Sequence, residues 1–139
     1  MPKKVSPRRK LTRRQLRDLD IEINFLEGVV ARDPKFIDAL RVLGDSYTRR
    51  SRFADGLKID QRLARRYPRD PFILYNLCCS YALTKKIKSS AHALLRALDH
   101  GYCDFALLKK DPDLANLRRA PIFEKILAHI ERVQMKMVG

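Results

Sequence analysis

Residues 37–70 read IDALRVLGDSYTRRSRFADGLKIDQRLARRYPRD, and residues 71–104 read PFILYNLCCSYALTKKIKSSAHALLRALDHGYCD. The second stretch repeats the pattern of the first at an offset of 34 residues. Leu40, Leu43, Tyr47 and Phe53 become Leu74, Leu77, Tyr81 and Ile87, so apolar or identical character is kept. Pro68 becomes Tyr102, which breaks the pattern, while one step back from Pro68 lands on Pro34. Within the first stretch Leu40, Leu43 and Tyr47 fall at i, i+3 and i+7, which places them on one stripe of a helix. Gly44 and Cys78 put a small side chain at the same point of that helix in both stretches. A helix-interior glycine costs about 1 kcal/mol of propensity, a cost that makes sense where a partner helix approaches closely. A second helix is predicted from Phe53 to about Arg66, with Phe53, Leu57, Ala64 and Tyr67 inward. Pro68 and Pro71 stop it, because proline lacks the N–H and disfavours helix before it.

The 34-residue period, the run Leu43-Gly44-x-x-Tyr47, its echo Tyr75-Asn76-Leu77-x-x-Tyr81 and the closing proline resemble the tetratricopeptide repeat. The resemblance spans residues 37–102, with small bacterial proteins of that family as the nearest type. Gly56 and Ser90 stand where the family usually has alanine, and Asp60 where it has an aromatic residue. The resemblance implies an all-α fold, a right-handed superhelix of antiparallel helix hairpins. It also implies a non-catalytic protein–protein interaction module that holds a peptide or protein segment in a short concave groove. By the same resemblance, the first helix of each hairpin lines that groove. The lining positions would be Asp38, Arg41, Asp45, Thr48 and Arg49, then Phe72, Tyr75, Asn76, Cys79, Ala82 and Leu83. The first set is charged, the second apolar and aromatic, which suits a segment with one greasy anchor and one charged end. Family members that grip a C-terminal carboxylate use a basic residue and two asparagines. Arg41 and Asn76 match two of these positions, but Asp45 occupies the third and would repel a carboxylate.

Upstream, Leu16, Leu19, Ile23, Leu26 and Val30 recur at steps of 3, 4, 3 and 4, a buried helical stripe. The helix is predicted to start near Leu11 and to end at Asp33-Pro34. Residues 11–33 thus look like the second helix of a degenerate first repeat, ahead of full repeats at 37–70 and 71–104. Hairpin helices are expected at 36–48, 53–66, 72–83 and 88–99, with Gly101 just past the last of them. Residues 105–139 lose the period and resemble the closing segment of bacterial tetratricopeptide proteins. There Asp111 reads as an N-cap with Pro112 at the first helical position. Pro121 opens a last helix whose Ile122, Phe123, Ile126, Leu127, Ile130 and Val133 form an apolar face, a cap of the kind solenoid ends require.

The chain has 139 residues, 45% of them hydrophobic, and a formal net charge of +14. That length suits one domain. Eight of the 30 basic residues and none of the 16 acidic ones lie in residues 1–17: Lys3, Lys4, Arg8, Arg9, Lys10, Arg13, Arg14 and Arg17. Residues 1–10, with Pro2 and Pro7 and almost no apolar side chain, are expected to form a disordered basic tail. Ser6-Pro7-Arg8-Arg9 resembles units that lie in the DNA minor groove. Pro2-Lys3-Lys4 with Pro7-Arg8-Arg9-Lys10 resembles a two-part nuclear import signal. The tail therefore supports a second reading, a nucleic-acid- or ribosome-associated protein with non-specific affinity for polyanions. A third reading is a self-associating scaffold, a homo-oligomer in which two full repeats complete their core through a partner.

No apolar run approaches the roughly 18 residues of a membrane span, so no membrane partner is expected. Cys78, Cys79 and Cys103 form no C-x-x-C pair and read as reduced thiols, which points to a cytoplasmic protein. His92, His100 and His129 belong to no H-E-x-x-H or Cys/His cluster. No serine sits in G-x-S-x-G, and no glycine-rich loop follows a strand. The chain is thus read as no enzyme, with no cofactor and no metal.

Overall fold

A computed structural model describes residues 10–138. Among these residues the structure is all α, with no strand. The elements are α1 (Arg13–Arg32), α2 (Ile37–Arg49), α3 (Phe53–Arg66), α4 (Pro71–Leu83) and α5 (Ile87–Asp99). Then come α6 (Phe105–Leu108), a 3-10 turn (Pro112–Leu114), α7 (Ala115–Arg118) and α8 (Phe123–Val138). Lys10 apart, the basic tail lies outside the described residues.

Local chemistry sets the boundaries. Thr12 opens α1 with a capping box: its Oγ1 accepts from the Gln15 N–H at 3.1 Å, and the Gln15 Oε1 accepts from the Thr12 N–H at 2.9 Å. This pair satisfies two of the orphan donors at a helix start. Asp70 caps α4 through the N–H groups of Phe72 and Ile73, at 2.9 and 3.2 Å, with Pro71 at the first helical position. Gly101 follows α5 at φ +104°, the left-handed region that ends a helix cheaply only for glycine. Tyr67 corrects the expected inward set of α3. It is the C-cap of that helix and 37% exposed, because the chain turns away there toward Pro68.

The repeat seen in the sequence returns as repeated contacts. Arg62 donates to the Pro34 carbonyl at 3.0 Å, and Arg96 to the Pro68 carbonyl at 2.9 Å. Tyr47 bonds Glu27 of α1, and Tyr81 bonds Gln61 of α3. Ser51 and Lys85, the residues that turn each hairpin, have φ of 65° and 63°. The N–H groups that follow them, of Arg52 and Lys86, close onto the carbonyls of Tyr47 and Tyr81, both at 2.8 Å. Every one of these partners is displaced by 34 positions from its counterpart. Glu27 stands in α1 where Gln61 stands in α3, so α1 meets α2 as α3 meets α4.

Each hairpin closes around a pair of small residues. A Cβ on Gly44 would lie 3.1 Å from Ile59 Cγ2, and one on Gly56 would lie 3.1 Å from Thr48 Oγ1. Their counterparts, Cys78 and Ser90, fill the same crossing with a hydrogen bond from Ser90 Oγ to the Cys78 carbonyl at 2.9 Å. The core runs continuously from Ile23 of α1 to Ile130 of α8, and α8 packs on α5.

Candidate functional site

The groove positions expected from the second repeat are occupied by the chain itself. Tyr75 is fully buried, its ring stacked on Tyr102 with centroids 4.2 Å apart and planes 7° from parallel. Its hydroxyl donates to Asp111 Oδ2 at 2.9 Å. Cys79 lies under the same carboxyl, and Phe72 meets the Tyr102 ring edge-on at 6.2 Å. Asn116 donates to the Ala82 carbonyl at 3.0 Å, and Arg118 ties the Asp111 carbonyl from the far side at 2.7 Å. Tyr75, Cys79 and Ala82 therefore do not line an open groove, and this corrects the sequence-based expectation. Asn76, Phe72 and Leu83 are half-buried beside them. The physical reason is that a stripe of Phe, Tyr and Cys is too apolar to leave in water. The non-repeating segment that follows Gly101 returns across it.

Asp111 holds this segment twice over. Its Oδ1 accepts from the Asp113 N–H at 3.0 Å, the capping role expected of it, while Oδ2 takes the Tyr75 hydroxyl. A hydrogen bond to a charged acceptor in a buried place is worth about 1.5–3 kcal/mol. Burial, with Cys79 and Asp111 beside it, pushes the Tyr75 hydroxyl far above the usual tyrosine range. The Tyr102 hydroxyl is also buried; its polar neighbour is the Tyr75 hydroxyl, and it makes no hydrogen bond of good geometry among the described residues.

The first-repeat half is different. Asp38, Asp45 and Arg49 are exposed on α2, and Val42 between them is 45% exposed. Arg41 is half-buried and reaches Asp70 at 3.8 Å. Thr48 is a second correction: it turns inward, 7% exposed, and donates to the Gly44 carbonyl at 3.1 Å. Asp38, Arg41, Val42, Asp45 and Arg49 thus form one stripe, charged with a small apolar step, along a single helix.

Of the basic tail, Lys10, Arg13, Arg14 and Arg17 fall among the described residues, and all are exposed. Lys3, Lys4, Arg8 and Arg9 lie outside them. The first turn of α1 contains no acidic residue. Three arginines therefore add to the positive end of the helix dipole, where an anion is favoured and a cation is not.

Sequence reasoning missed a shallow cleft of about 380 Å³ between the loop after α1 and the end of α3. Its floor is Ile37, Leu40 and Leu63, and its rim is Lys35, Arg62, Arg65 and Arg66. The signal was present in the sequence as Arg65-Arg66 next to Arg62, but only the fold brings Lys35 to the same rim. His129 pairs with Asp99 at 2.8 Å, and Arg132 lies 3.3 Å from its Nδ1. No group of three or more His, Cys, Asp or Glu side chains is placed to share a metal among the described residues. Cys78 and Cys79 are buried and Cys103 is exposed, all three as free thiols. No helix among the described residues is long and apolar enough to cross a membrane.

Comparison with known proteins gives one partial likeness of note. A 57-residue stretch is 35% identical to part of a chloroplastic protein of Arabidopsis thaliana, covering 41% of this chain and 17% of that protein. The chain thus spans less than a fifth of the relative it matches. No family model matches the sequence, and no solved structure matches it.

Proposed function

We propose that this chain is a tetratricopeptide-type solenoid, its hairpins stacked in a right-handed superhelix, acting as a non-catalytic module that binds a protein segment. One observation carries the reading: residues 102–117 of the chain already lie along the first-helix face of the second repeat. Tyr102 stacks on Tyr75, Asp111 accepts the Tyr75 hydroxyl, and Asn116 bonds a backbone carbonyl of α4. Such a face takes an irregular segment by ring stacking, a buried carboxyl and a main-chain bond. The equivalent face of α2 presents Asp38, Arg41, Val42, Asp45 and Arg49 to solvent. A partner segment bound there would match alternating charges around one small apolar step, and would continue the line of the chain's own strap.

Site-specific photocrosslinking tests this. A photoreactive amino acid at Val42 should capture a polypeptide from nuclease-treated native lysate, and the double change Asp45→Lys with Arg49→Glu should abolish capture. The same probe at exposed Ala106 serves as control. Equal capture from both sites, or capture indifferent to the charge reversal, would remove the reading.

A second reading has its own support in the three exposed arginines at the positive end of α1. It holds that the tail and α1 contact a polyanion, nucleic acid first of all. Binding to duplex DNA would then fall with salt at a log–log slope near −0.9 per neutralised phosphate. It would show little sequence preference, since phosphate contacts position without specifying. Removing residues 1–10 should flatten the slope; the absence of binding at low salt would end this reading.

A further inference from the structure

The α1 helix has two apolar faces, and the chain uses one. Leu19, Ile23 and Val30 are buried, with Leu26 and Val29 packed against the same core. Away from that core, Ile21 is 68% and Phe25 66% exposed. The repeat tells what this second face lacks. Moving Phe25 by one and two periods gives Ile59 and Ala93, which are 6% and 2% exposed. Ile59 touches the Gly44 position, so it packs on the first helix of its own hairpin. Phe25 stands where both full hairpins carry a partner helix, and α1 has none among the described residues.

Gly28 points the same way. Gly44 and Gly56 are required by close contacts inside the chain, as their virtual Cβ distances show. A Cβ on Gly28 would meet nothing nearer than Arg32 Nη2 at 3.9 Å, the tip of a flexible arm. A glycine in a helix interior costs about 1 kcal/mol relative to alanine, and no close contact among the described residues offsets it. It leaves a notch beside Phe25, on the exposed side.

The charges choose the occupant. Asp18, Ile21, Phe25, Gly28 and Arg32 follow steps of 3, 4, 3 and 4, which keeps them on one seam of the helix. The seam is symmetric about Phe25 in position and antisymmetric in charge. Asp18 stands seven residues before it and Arg32 seven residues after it. Neither has an ion-pair partner among the described residues, and within one helix they are about 21 Å apart, too far to meet.

We propose that α1 is a homodimerisation helix. A second copy lays its own α1 antiparallel on this seam, about a two-fold axis through Phe25. Phe25 then packs on Phe25, Ile21 sits over the gap at Gly28 beside Val29, and Asp18 faces Arg32 at both ends. Such a contact is isologous, the same patch serving both copies. Each partner helix takes the place that α2 takes on α3 and α4 on α5. A single helix pair is a small interface, so the dimer belongs to the weak, exchanging class. The inference goes beyond the segment-binding reading and uses a different helix face, so either can fail without the other.

Sedimentation velocity of the full chain, from low micromolar to near-millimolar concentration, tests it. The expected result is a reversible monomer–dimer equilibrium. Phe25→Glu, with its helical circular dichroism unchanged, should weaken the dimer at least about tenfold, as loss of a central aromatic anchor does. Asp18→Arg and Arg32→Asp should each weaken it, and the two together should restore it, because the pair is then complementary with signs exchanged. In a Cys103→Ser background, Phe25→Cys should form a disulfide-linked dimer on mild oxidation, whereas Lys58→Cys should not. A chain that stays monomeric throughout overturns the proposal. So does a dimer indifferent to Phe25→Glu, a double charge swap no better than its singles, or open-ended assembly beyond the dimer.

Discussion

Removing the Asp111 carboxyl should loosen the strap that covers α4, and the size of the loss follows from its contacts. In Asp111→Ala the Asp113 N–H loses its cap, a loss of about 1 kcal/mol. The Tyr75 hydroxyl, fully buried and 2.9 Å from Asp111, is left without that acceptor, which costs a further ~1–3 kcal/mol. The sum is about 2–4 kcal/mol, a sizeable part of the stability of a domain this small. Tyr75→Phe removes the donor instead and should cost about 1.5–3 kcal/mol, the value of a bond to a charged group. The two changes report on one contact, so they should not add. Once Asp111 is alanine, Tyr75→Phe should instead regain about 1–3 kcal/mol, because it removes the hydroxyl left without its acceptor. The coupling in the double-mutant cycle should then be at least about 2.5 kcal/mol. Urea unfolding of the four proteins, followed by far-ultraviolet circular dichroism, measures it. Hydrogen exchange should show protection lost first in residues 102–118 and α4. Additive losses, or an Asp111→Ala cost below about 0.5 kcal/mol, would refute the view that this carboxyl pins the segment.

The remaining expectations concern the same core. Tyr102→Phe should cost less than about 1 kcal/mol, because the buried hydroxyl it removes makes no hydrogen bond of good geometry among the described residues; a large loss in the melting temperature would contradict this. Ser51→Gly and Lys85→Gly should each stabilise by about 1 kcal/mol, since both residues hold a left-handed φ that costs other residues about 1–2 kcal/mol; thermal melts decide. Gly44→Leu should destabilise by ~1–3 kcal/mol or more, as overpacking does, because even a Cβ would press on Ile59. A groove-side Cys79 would make Cys79→Ser mild beside Cys78→Ser; with both thiols buried, the losses should instead be comparable. Stability should also fall above about pH 10. Burial raises the folded-state pKa of Tyr47, Tyr75 and Tyr102, so the folded chain holds protons that the unfolded chain has released. The contribution is fully present below the unfolded value and is lost as pH rises toward the folded one. Tyr75, the most deeply buried of the three, adds a slope of about 1.4 kcal/mol per pH unit in that window. Tyr75→Phe should reduce the slope of an alkaline unfolding series by one such step.

Much of the fold was legible because it rests on local and periodic rules. The 34-residue offset, the stripe from Leu16 to Val30 and the caps at Asp70 and Asp111 each fix helices through neighbours three or four residues away. Those neighbours are visible in the sequence. The α3 helix has the predicted bounds, and the others differ by one or two residues at their starts or ends, where caps such as Thr12 decide. The site was less legible. The resemblance assigned Tyr75 and Cys79 to an open groove face of α4, but neither resemblance nor periodicity tells what lies opposite that face. That was decided by Tyr102 and Asp111, which are 27 and 36 residues away from Tyr75 along the chain. Thr48 is buried because α3 crosses it at Gly56, a contact that periodicity along α2 does not show.

The sequence by itself determined that this is an all-helical repeat, where its hairpins begin and end, and which residues are small at the crossings. It also determined the charge asymmetry of the N-terminus. Only the tertiary structure decided that the apolar half of the first-helix face is taken by the chain's own C-terminal segment, and that the charged half on α2 is open. For α1 the sequence marked the buried stripe, but only the structure shows Ile21 and Phe25 left exposed beside it. The reason is one of range. Helix propensity, capping and periodic burial act within a turn or two and are written in order along the chain. Which face is covered depends on the return path of a segment without a period, and that path is held by burial and one buried carboxyl far along the chain.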